Sequence, residues 1–130
     1  MILRHQLSDY YQALLRPETY ADYCPNGLQI EGAEAIERIA FAVSATRDSI
    51  NQAAENKADA LVVHHGLFWT FHGAKPLTGT FAGRIFPLVK NGINLFGYHL
   101  PLDGHPDIGN AATLGQLIDC RQQQPFGDYK

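Results

Sequence analysis

The chain has 130 residues, of which 45% are hydrophobic and 18% charged, with a formal net charge of −3. This composition is that of one globular domain and excludes a disordered tail. The 10 basic residues are scattered, which argues against direct nucleic-acid binding. No apolar run approaches the roughly 20 residues of a membrane span, so we expect no membrane partner. Cys24 and Cys120 form no CxxC unit and no secretory leader is visible, which predicts free thiols and a cytoplasmic location.

The first predicted element is an amphipathic helix. Leucine and tyrosine recur at the spacing of one helix face between Leu3 and Leu15. Pro17 ends this helix, because the residue before a proline is pushed away from helical geometry. Residues 24–27 follow as a loop that contains an Asn-Gly turn signal.

Short apolar segments then alternate with helical ones. Predicted strands cover residues 39–44, 60–65 and 93–99, and predicted helices cover residues 46–56, 80–91 and 106 to about 119. The second strand is apolar without alternation, as in a parallel strand buried on both faces. We therefore expect an α/β domain with a parallel-stranded sheet, flanking helices and right-handed crossovers.

Histidines lie where the predicted strands end. The second strand ends in His64 and His65, the third ends in His99, and Asp103 follows four residues later. Open α/β sheets bind ligands at the carboxyl ends of their strands, and imidazole and carboxylate ligands suit zinc, iron, manganese or nickel. One such histidine alone is more often a hydrogen-bonded residue, but the pair together with Asp103 favours a metal site. His99 could be a ligand, a partner of a ligand or a proton shuttle.

The adjacency of His64 and His65 raises a further question. Neighbouring side chains on a strand point to opposite faces, so the pair cannot easily chelate one ion while the chain stays extended. Either the backbone turns at Gly66, or each histidine binds a different ion. Two ions about 3.5–4 Å apart would share a bridging hydroxide, which is a hydrolytic nucleophile.

Other candidates receive plainer interpretations. His72 and His105 fall in predicted loops and are expected to be solvent-exposed, while Cys24 is expected to be a buried, inert thiol. The aromatic loop at residues 68–71 follows the histidine pair directly. It could form the wall of a ligand pocket, or it could pack in the core or in a subunit interface.

Four segments together carry a family resemblance. They are residues 25–32 (PNGLQIEG), 62–69 (VVHHGLFW), 94–103 (NLFGYHLPLD) and 107–110 (DIGN). In this order they resemble the Nif-three-like family, whose members are often described as type 2 GTP cyclohydrolase I homologues. The resemblance runs from about residue 3 to residue 119.

The resemblance implies one lobe of a two-lobe fold that holds two divalent metal ions per subunit, in toroidal homohexamers. Residues 1–130 would be a single α/β domain like the N-terminal lobe of family members about twice as long. Carried over, His64, His65 and Asp103 would be metal ligands, with one histidine of the pair on each ion. His99 matches a family position near the metals that is not usually counted as a ligand, and we expect it to be a catalytic proton relay. The family's remaining ligands, a histidine and a glutamate spaced as H-x-x-x-E, have no counterpart after His105.

The activity that the resemblance implies is metal-dependent hydrolysis of the GTP cyclohydrolase type, with a nucleotide or related small molecule as substrate. No guanine-specific or triphosphate-binding element is visible in the sequence. The alternative is a non-catalytic, metal-binding or regulatory scaffold that acts through protein partners, with the aromatic loop as a contact surface.

Overall fold

The computed structural model describes residues 1–126, so the last four residues of the expected domain lie outside it. Within these residues the strands are β1 (Ile2–Leu3), β2 (Gly27–Ile30), β3 (Ala35–Ile36), β4 (Ile39–Ser44), β5 (Ala60–His65) and β6 (Asn94–Gly97). The α-helices are α1 (Arg4–Leu15), α2 (Arg47–Glu55), α3 (Gly79–Lys90), α4 (Leu100–Asp103) and α5 (Asn110–Leu117). Short 3₁₀ turns cover Pro17–Thr19 and Thr70–His72.

The main sheet has four strands in the order β2-β6-β5-β4. Strands β4, β5 and β6 are parallel, and β2 joins β6 antiparallel at one edge. The expected α/β fold with a parallel-stranded sheet and flanking helices is thus confirmed. The short strands β1 and β3 pair separately as a two-stranded antiparallel ribbon.

Apolar residues on the two faces of β5 build two core layers. Leu61 and Val63 pack in a cluster with residues of α2 and α3, whereas Ala60 and Val62 pack in a second cluster with residues of α1. All four residues are buried, as expected for a parallel strand covered on both sides. The sheet is therefore held between α1 on one face and α2 with α3 on the other.

The helix ends follow local chemistry. Helix α1 ends at Leu15 because Arg16 adopts a left-handed conformation with φ of 46°, and Pro17 then begins a 3₁₀ turn. The Thr46 hydroxyl accepts a hydrogen bond from the Ser49 amide at 3.1 Å and caps the start of α2. No helix among residues 1–126 has both the length and the apolar composition needed to cross a membrane.

The structure differs in several details from the sequence-based expectations. Strand β2 was not expected, since it has four residues and directly follows a turn signal. Strand β6 ends at Gly97 rather than at His99, and Asp103 lies in the short helix α4 rather than in a loop. Helix α5 begins at Asn110 rather than at residue 106, because Gly109 has an extended backbone with ψ of 161°.

Candidate metal centre

Three imidazoles meet at the carboxyl ends of the parallel strands. One ligand nitrogen from each of His64, His65 and His99 lies within 4.8 Å of the others. The ring centroids of His64 and His65 are 4.5 Å apart, so alternation along β5 does not hold the pair apart as expected. Pairing of β5 with β6 stops at Val63, so both histidines lie beyond the last paired residue of these two strands.

His64 is oriented by a backbone carbonyl. Its Nδ1 lies 3.0 Å from the carbonyl oxygen of Tyr98, which can only accept a hydrogen bond. Nδ1 must therefore carry a proton and donate it, which leaves a lone pair on Nε2 of the neutral ring. That nitrogen lies 3.5 Å from Oδ1 of Asp103.

Asp103 places a carboxylate oxygen, which is also a hydrogen-bond acceptor, opposite Nε2 of His64. Its Oδ1 accepts a hydrogen bond from Nδ2 of Asn110 at 2.6 Å and faces Nε2 of His64 at 3.5 Å. With His64 neutral, two electron-pair donors face each other, and this pairing is repulsive unless a proton or a cation lies between them. Two ligands about 2.1 Å from a tetrahedral ion are about 3.4 Å apart, so this donor pair fits a metal ion.

His65 is held from the neighbouring strand. Its Nδ1 lies 2.9 Å from the Ser44 hydroxyl, at the position where β4 and β5 pair through these two residues. Burial, followed by the nearby His64 and His99 rings, lowers the pKa of His65, although Asp103 acts in the opposite direction. The neutral ring, which is the ligand form, is thereby favoured near neutral pH.

His99 is buried and is tied to the loop before β2. Its Nδ1 lies 3.1 Å from Oδ1 of Asp22, and its backbone amide donates to Oδ1 of Asn26 at 2.7 Å. Burial of Asp22 acts to raise its pKa, but hydrogen bonds from Asn26, His99 and two backbone amides outweigh burial and lower it. Asp22 is therefore a carboxylate that holds the His99 ring.

A second group of possible ligands consists of Asp22, Cys24 and His99, again within 4.8 Å of one another. Burial, then the charge and hydrogen bonding of Asp22, raises the pKa of the Cys24 thiol to about 12. A metal ion needs the thiolate, and the Asp22 oxygens are already engaged by hydrogen-bond donors. This donor set does not fit a metal ion, and Cys24 is buried as expected.

Aromatic rings stand beside the histidines. Trp69 meets His99 edge to face at 5.1 Å between centroids, and Phe71 stacks on Trp69 at 5.6 Å. Phe68 instead packs against Phe81 and the main core. The aromatic loop thus divides, because Phe68 belongs to the core whereas Trp69 forms part of the wall of the site.

Gln29 supports the turn that follows the histidine pair. Its Oε1 accepts a hydrogen bond from the Leu67 amide at 2.9 Å, and its Nε2 donates to the Pro25 carbonyl at 2.9 Å. A Cβ at Gly66 or at Gly97 would overlap the Gln29 side chain. Glycine at both positions leaves room for the Gln29 amide beside the turn after β5 and the end of β6.

The structure brings together the four residues singled out from the sequence, namely His64, His65, His99 and Asp103. His72 is exposed, as expected. The expectation for His105 is wrong, because its ring is half-buried and its Nδ1 accepts hydrogen bonds from two backbone amides that follow it.

Sequence reasoning missed the residues that hold the site residues in place. Asp22 and Ser44 hold the rings of His99 and His65, Asn26 holds the His99 backbone, and Asn110 holds the Asp103 carboxylate. One signal could have indicated Asn26 and Asn110, since they lie within the first and the fourth of the four family-like segments. Ser44 ends a predicted strand beside the histidine strand, which is a weaker signal.

The fold and the site define an α/β protein with an imidazole and carboxylate cluster of metal-ligand type at the carboxyl ends of its parallel strands. Comparison with known families gives the particular assignment. The chain belongs to the family described as Duf34/NIF3 (NGG1p interacting factor 3), whose sequence model matches residues 2–130. This assignment confirms the resemblance drawn from the sequence.

Individual relatives agree with the family assignment. A Neisseria meningitidis protein named "GTP cyclohydrolase 1 type 2 homolog" is 42% identical over 128 residues, which are 98% of this chain and 51% of the relative. The crystal structure of TTHA1606 from Thermus thermophilus matches with a TM-score of 0.84 and 38% identity, over 88% of this chain and 47% of that one. Reduced HcgD from Methanocaldococcus jannaschii shares the fold, with a TM-score of 0.86 at 20% identity over 98% of this chain and 51% of that one. The chain thus spans about half the length of the curated relatives it matches.

Proposed function

We propose that this chain carries metal ligands of a dinuclear, metal-dependent hydrolase that acts on a nucleotide or related small molecule. His64, His65 and Asp103 are the proposed ligands, and His99 is the proposed proton relay. The name shared by the curated relatives, "GTP cyclohydrolase 1 type 2 homolog", supports this reaction class.

One observation carries the proposal. Nε2 of His64, whose Nδ1 is bound to the Tyr98 carbonyl, faces a carboxylate oxygen of Asp103 at 3.5 Å. In the neutral form of the ring, two electron-pair donors meet at this half-buried rim, and they repel each other unless a proton or a cation lies between them. The neighbouring His65 ring, whose pKa is lowered, adds a further neutral donor at the same rim.

Each residue then has a chemical role. A bound divalent ion would polarise the bond under attack and lower the pKa of a water molecule. The Tyr98 carbonyl and the Ser44 hydroxyl hold the two ligand rings in place, as outer partners of metal-bound histidines commonly do. His99, whose Nδ1 lies 3.1 Å from Asp22, would accept a proton from the attacking water at Nε2. Trp69 packs edge to face against the His99 ring.

The proposal also covers the organisation of the protein. Residues 1–130 form one α/β domain that corresponds to the N-terminal lobe of relatives about twice as long. A single catalytic zinc ion commonly has three protein ligands, so two ions with one histidine of the pair on each would take further ligands from outside this sequence. We further propose a homo-oligomer, of which the hexamer is the expected form.

Metal analysis tests the proposed ligands. Purified protein is loaded separately with Zn²⁺, Mn²⁺, Fe²⁺ or Ni²⁺, dialysed, and its metal content is measured by elemental analysis. His64→Ala and His65→Ala are expected to lose most of the bound metal, while His72→Ala, which changes an exposed histidine, should retain it. Metal content that does not respond to either substitution would overturn the proposed site.

Activity is tested separately with GTP as the probe, followed by chromatography of the nucleotide products. His99→Gln should keep the metal and lose roughly 10²–10⁴-fold in turnover, the usual contribution of a general acid or base. A variant that loses metal and activity together would instead make His99 a ligand.

The alternative, a metal-binding scaffold that acts through protein partners, is favoured by one observation. Phe71 of the aromatic loop is 68% exposed, and Phe41 on the edge strand β4 is 71% exposed. Exposed aromatic residues are typical of contact surfaces. Protein that binds metal but hydrolyses no nucleotide with any of the four ions would support this alternative.

A further inference from the structure

The Asp22 carboxylate is surrounded by hydrogen-bond donors. Its side chain is 2% exposed. Oδ1 accepts from the Tyr23 amide at 2.7 Å and from His99 at 3.1 Å, while Oδ2 accepts from the Asn26 side chain and the Leu100 amide, each at 2.9 Å. This carboxylate therefore ties the loop before β2 to both the backbone and the ring that follow β6.

We infer that Asp22 is a positioning residue, which fixes His99 with its proton on Nδ1 and its lone pair on Nε2 toward His64 and His65. The inference deepens the proposed function, since it names the group that prepares the proton relay. Asp22 acts through His99 and does not itself touch the reacting atoms.

The chemistry of the contact supports this assignment. An ionised carboxylate can only accept hydrogen bonds, so Nδ1 of the neutral His99 ring has to donate. Hydrogen bonds keep the pKa of Asp22 below its ordinary value, and the group is thus ionised at neutral pH. Asn26 holds the backbone of His99 at the same time, since its Oδ1 accepts from the His99 amide at 2.7 Å. With backbone and ring both held, Nε2 is the nitrogen left to face the histidine pair.

If Asp22 only held the loop in place, its substitution would affect His99 differently than if Asp22 also fixed the His99 tautomer. Substitution of Asp22 by asparagine puts an NH₂ group where two donors now point. Apart from the weakly bonding Cys24 thiol, the His99 ring is the one surrounding group that readily turns from donor to acceptor, by moving its proton from Nδ1 to Nε2. Asp22→Asn should therefore reverse the tautomer of His99, whereas loss of a mere clamp would loosen the loop without selecting a tautomer.

Two-bond ¹H–¹⁵N correlation spectra of metal-free, ¹⁵N-histidine-labelled protein report this tautomer. At about pH 8.5, where an ordinary histidine is neutral, wild-type His99 should show a protonated Nδ1 and an unprotonated Nε2. The His99 signals are assigned by their loss in His99→Gln. Asp22→Asn should move the proton to Nε2. Asp48→Asn, which alters an exposed carboxylate that also accepts an amide hydrogen bond, at 2.8 Å, should change nothing at His99.

Two further comparisons keep the inference open to refutation. Asn26→Ala loosens the same loop but leaves the Asp22 carboxylate in place, so the wild-type tautomer should persist. The wild-type and Asn26→Ala spectra decide the question even if Asp22→Asn does not fold. A protonated Nε2 in the wild type, or a protonated Nδ1 retained in folded Asp22→Asn, would overturn the inference.

These spectra need no metal, so their outcome is independent of whether the proposed metal site is correct. With Zn²⁺ added, Asp22→Asn should retain the metal that His64→Ala loses. If Asp22→Asn instead loses metal as fully as His64→Ala does, His99 is a ligand and the assignment of Asp22 to a proton relay is wrong.

Discussion

Alanine at Gly66 offers a test of how the site is supported. Gly66 is buried and directly follows His65, and its φ lies outside the left-handed region. The backbone itself would accept a Cβ, but that atom would overlap Oε1 and Nε2 of Gln29. The Gln29 amide would have to leave its place, and the turn after the histidine pair would lose its support.

The magnitude follows from the two hydrogen bonds that Gln29 would lose. The Leu67 amide, on a residue that is 2% exposed, would be left without its acceptor at a cost of about 1–3 kcal/mol. The bond to the Pro25 carbonyl lies at the surface and contributes about 0.5–1.5 kcal/mol. We expect Gly66→Ala to lower the free energy of unfolding by about 2–4 kcal/mol.

Urea unfolding followed by circular dichroism measures this change, with Gly83→Ala as the matched control. Gly83 lies within α3, and a Cβ there would meet no heavy atom within 4 Å. The same substitution should therefore stabilise the protein by about 0.5–1 kcal/mol, the usual gain of alanine over glycine in a helix.

A double-mutant cycle then isolates the clash. In a Gln29→Ala background the obstructing amide is gone, so Gly66→Ala should cost at least about 1 kcal/mol less than it does in the wild type. Additive effects of the two substitutions would refute the steric argument. So would a Gly66→Ala protein as stable as Gly83→Ala.

Two further predictions concern buried polar groups. The Asn94 side chain is fully buried and its Nδ2 donates to two backbone carbonyls. Asn94→Asp should therefore lower the free energy of unfolding in urea by about 2–5 kcal/mol. The control Asn91→Asp, which alters a single exposed bond to a carbonyl, should cost about 1 kcal/mol or less. Similar costs for both would contradict this account. The pKa of Cys24 is raised from 9.0 to about 12, so its contribution to stability is complete below pH 9 and is lost as pH rises toward 12. Cys24→Ala should remove up to about 1.4 kcal/mol per pH unit from the alkaline slope of stability, and Cys120→Ala, which alters an exposed thiol, should leave that slope unchanged.

The sequence predicts those elements whose pattern is repeated. Helix α1 and the parallel strands β4 and β5 were expected within a residue or so, because their apolar spacing is sustained over several turns or along a whole strand. Strand β2 has four residues and contacts β6 across about 70 residues of chain, so no local pattern predicts it. The end of β6 was misplaced because Tyr98 and His99 continue its apolar and aromatic character after pairing has stopped.

For the candidate site, the sequence predicted which histidines come together but not how their rings are oriented. The histidines were found because they end predicted strands, and one rule about parallel sheets then places them on the same rim. Their orientation was not found, since Asp22 lies 77 residues from His99 and Ser44 lies 21 residues from His65. Contacts over such separations depend on strand order and register, which a single sequence does not reveal.

Strand order is also what makes this cluster a site. His65 is anchored from the end of β4, His64 by the carbonyl of Tyr98 after β6, and His99 by Asp22 in the loop before β2. The two histidines of β5 are therefore held by hydrogen bonds from the ends of both neighbouring strands. The loop before the antiparallel strand β2 supplies Asp22, which holds His99. A protein with only the three parallel strands would still bring the histidines to one rim, but it would lack the carboxylate that fixes the proton of His99. The edge strand that the sequence did not predict thus serves the proposed acid–base chemistry through the loop that precedes it, and its Gln29 side chain also supports the turn after the two histidines of β5.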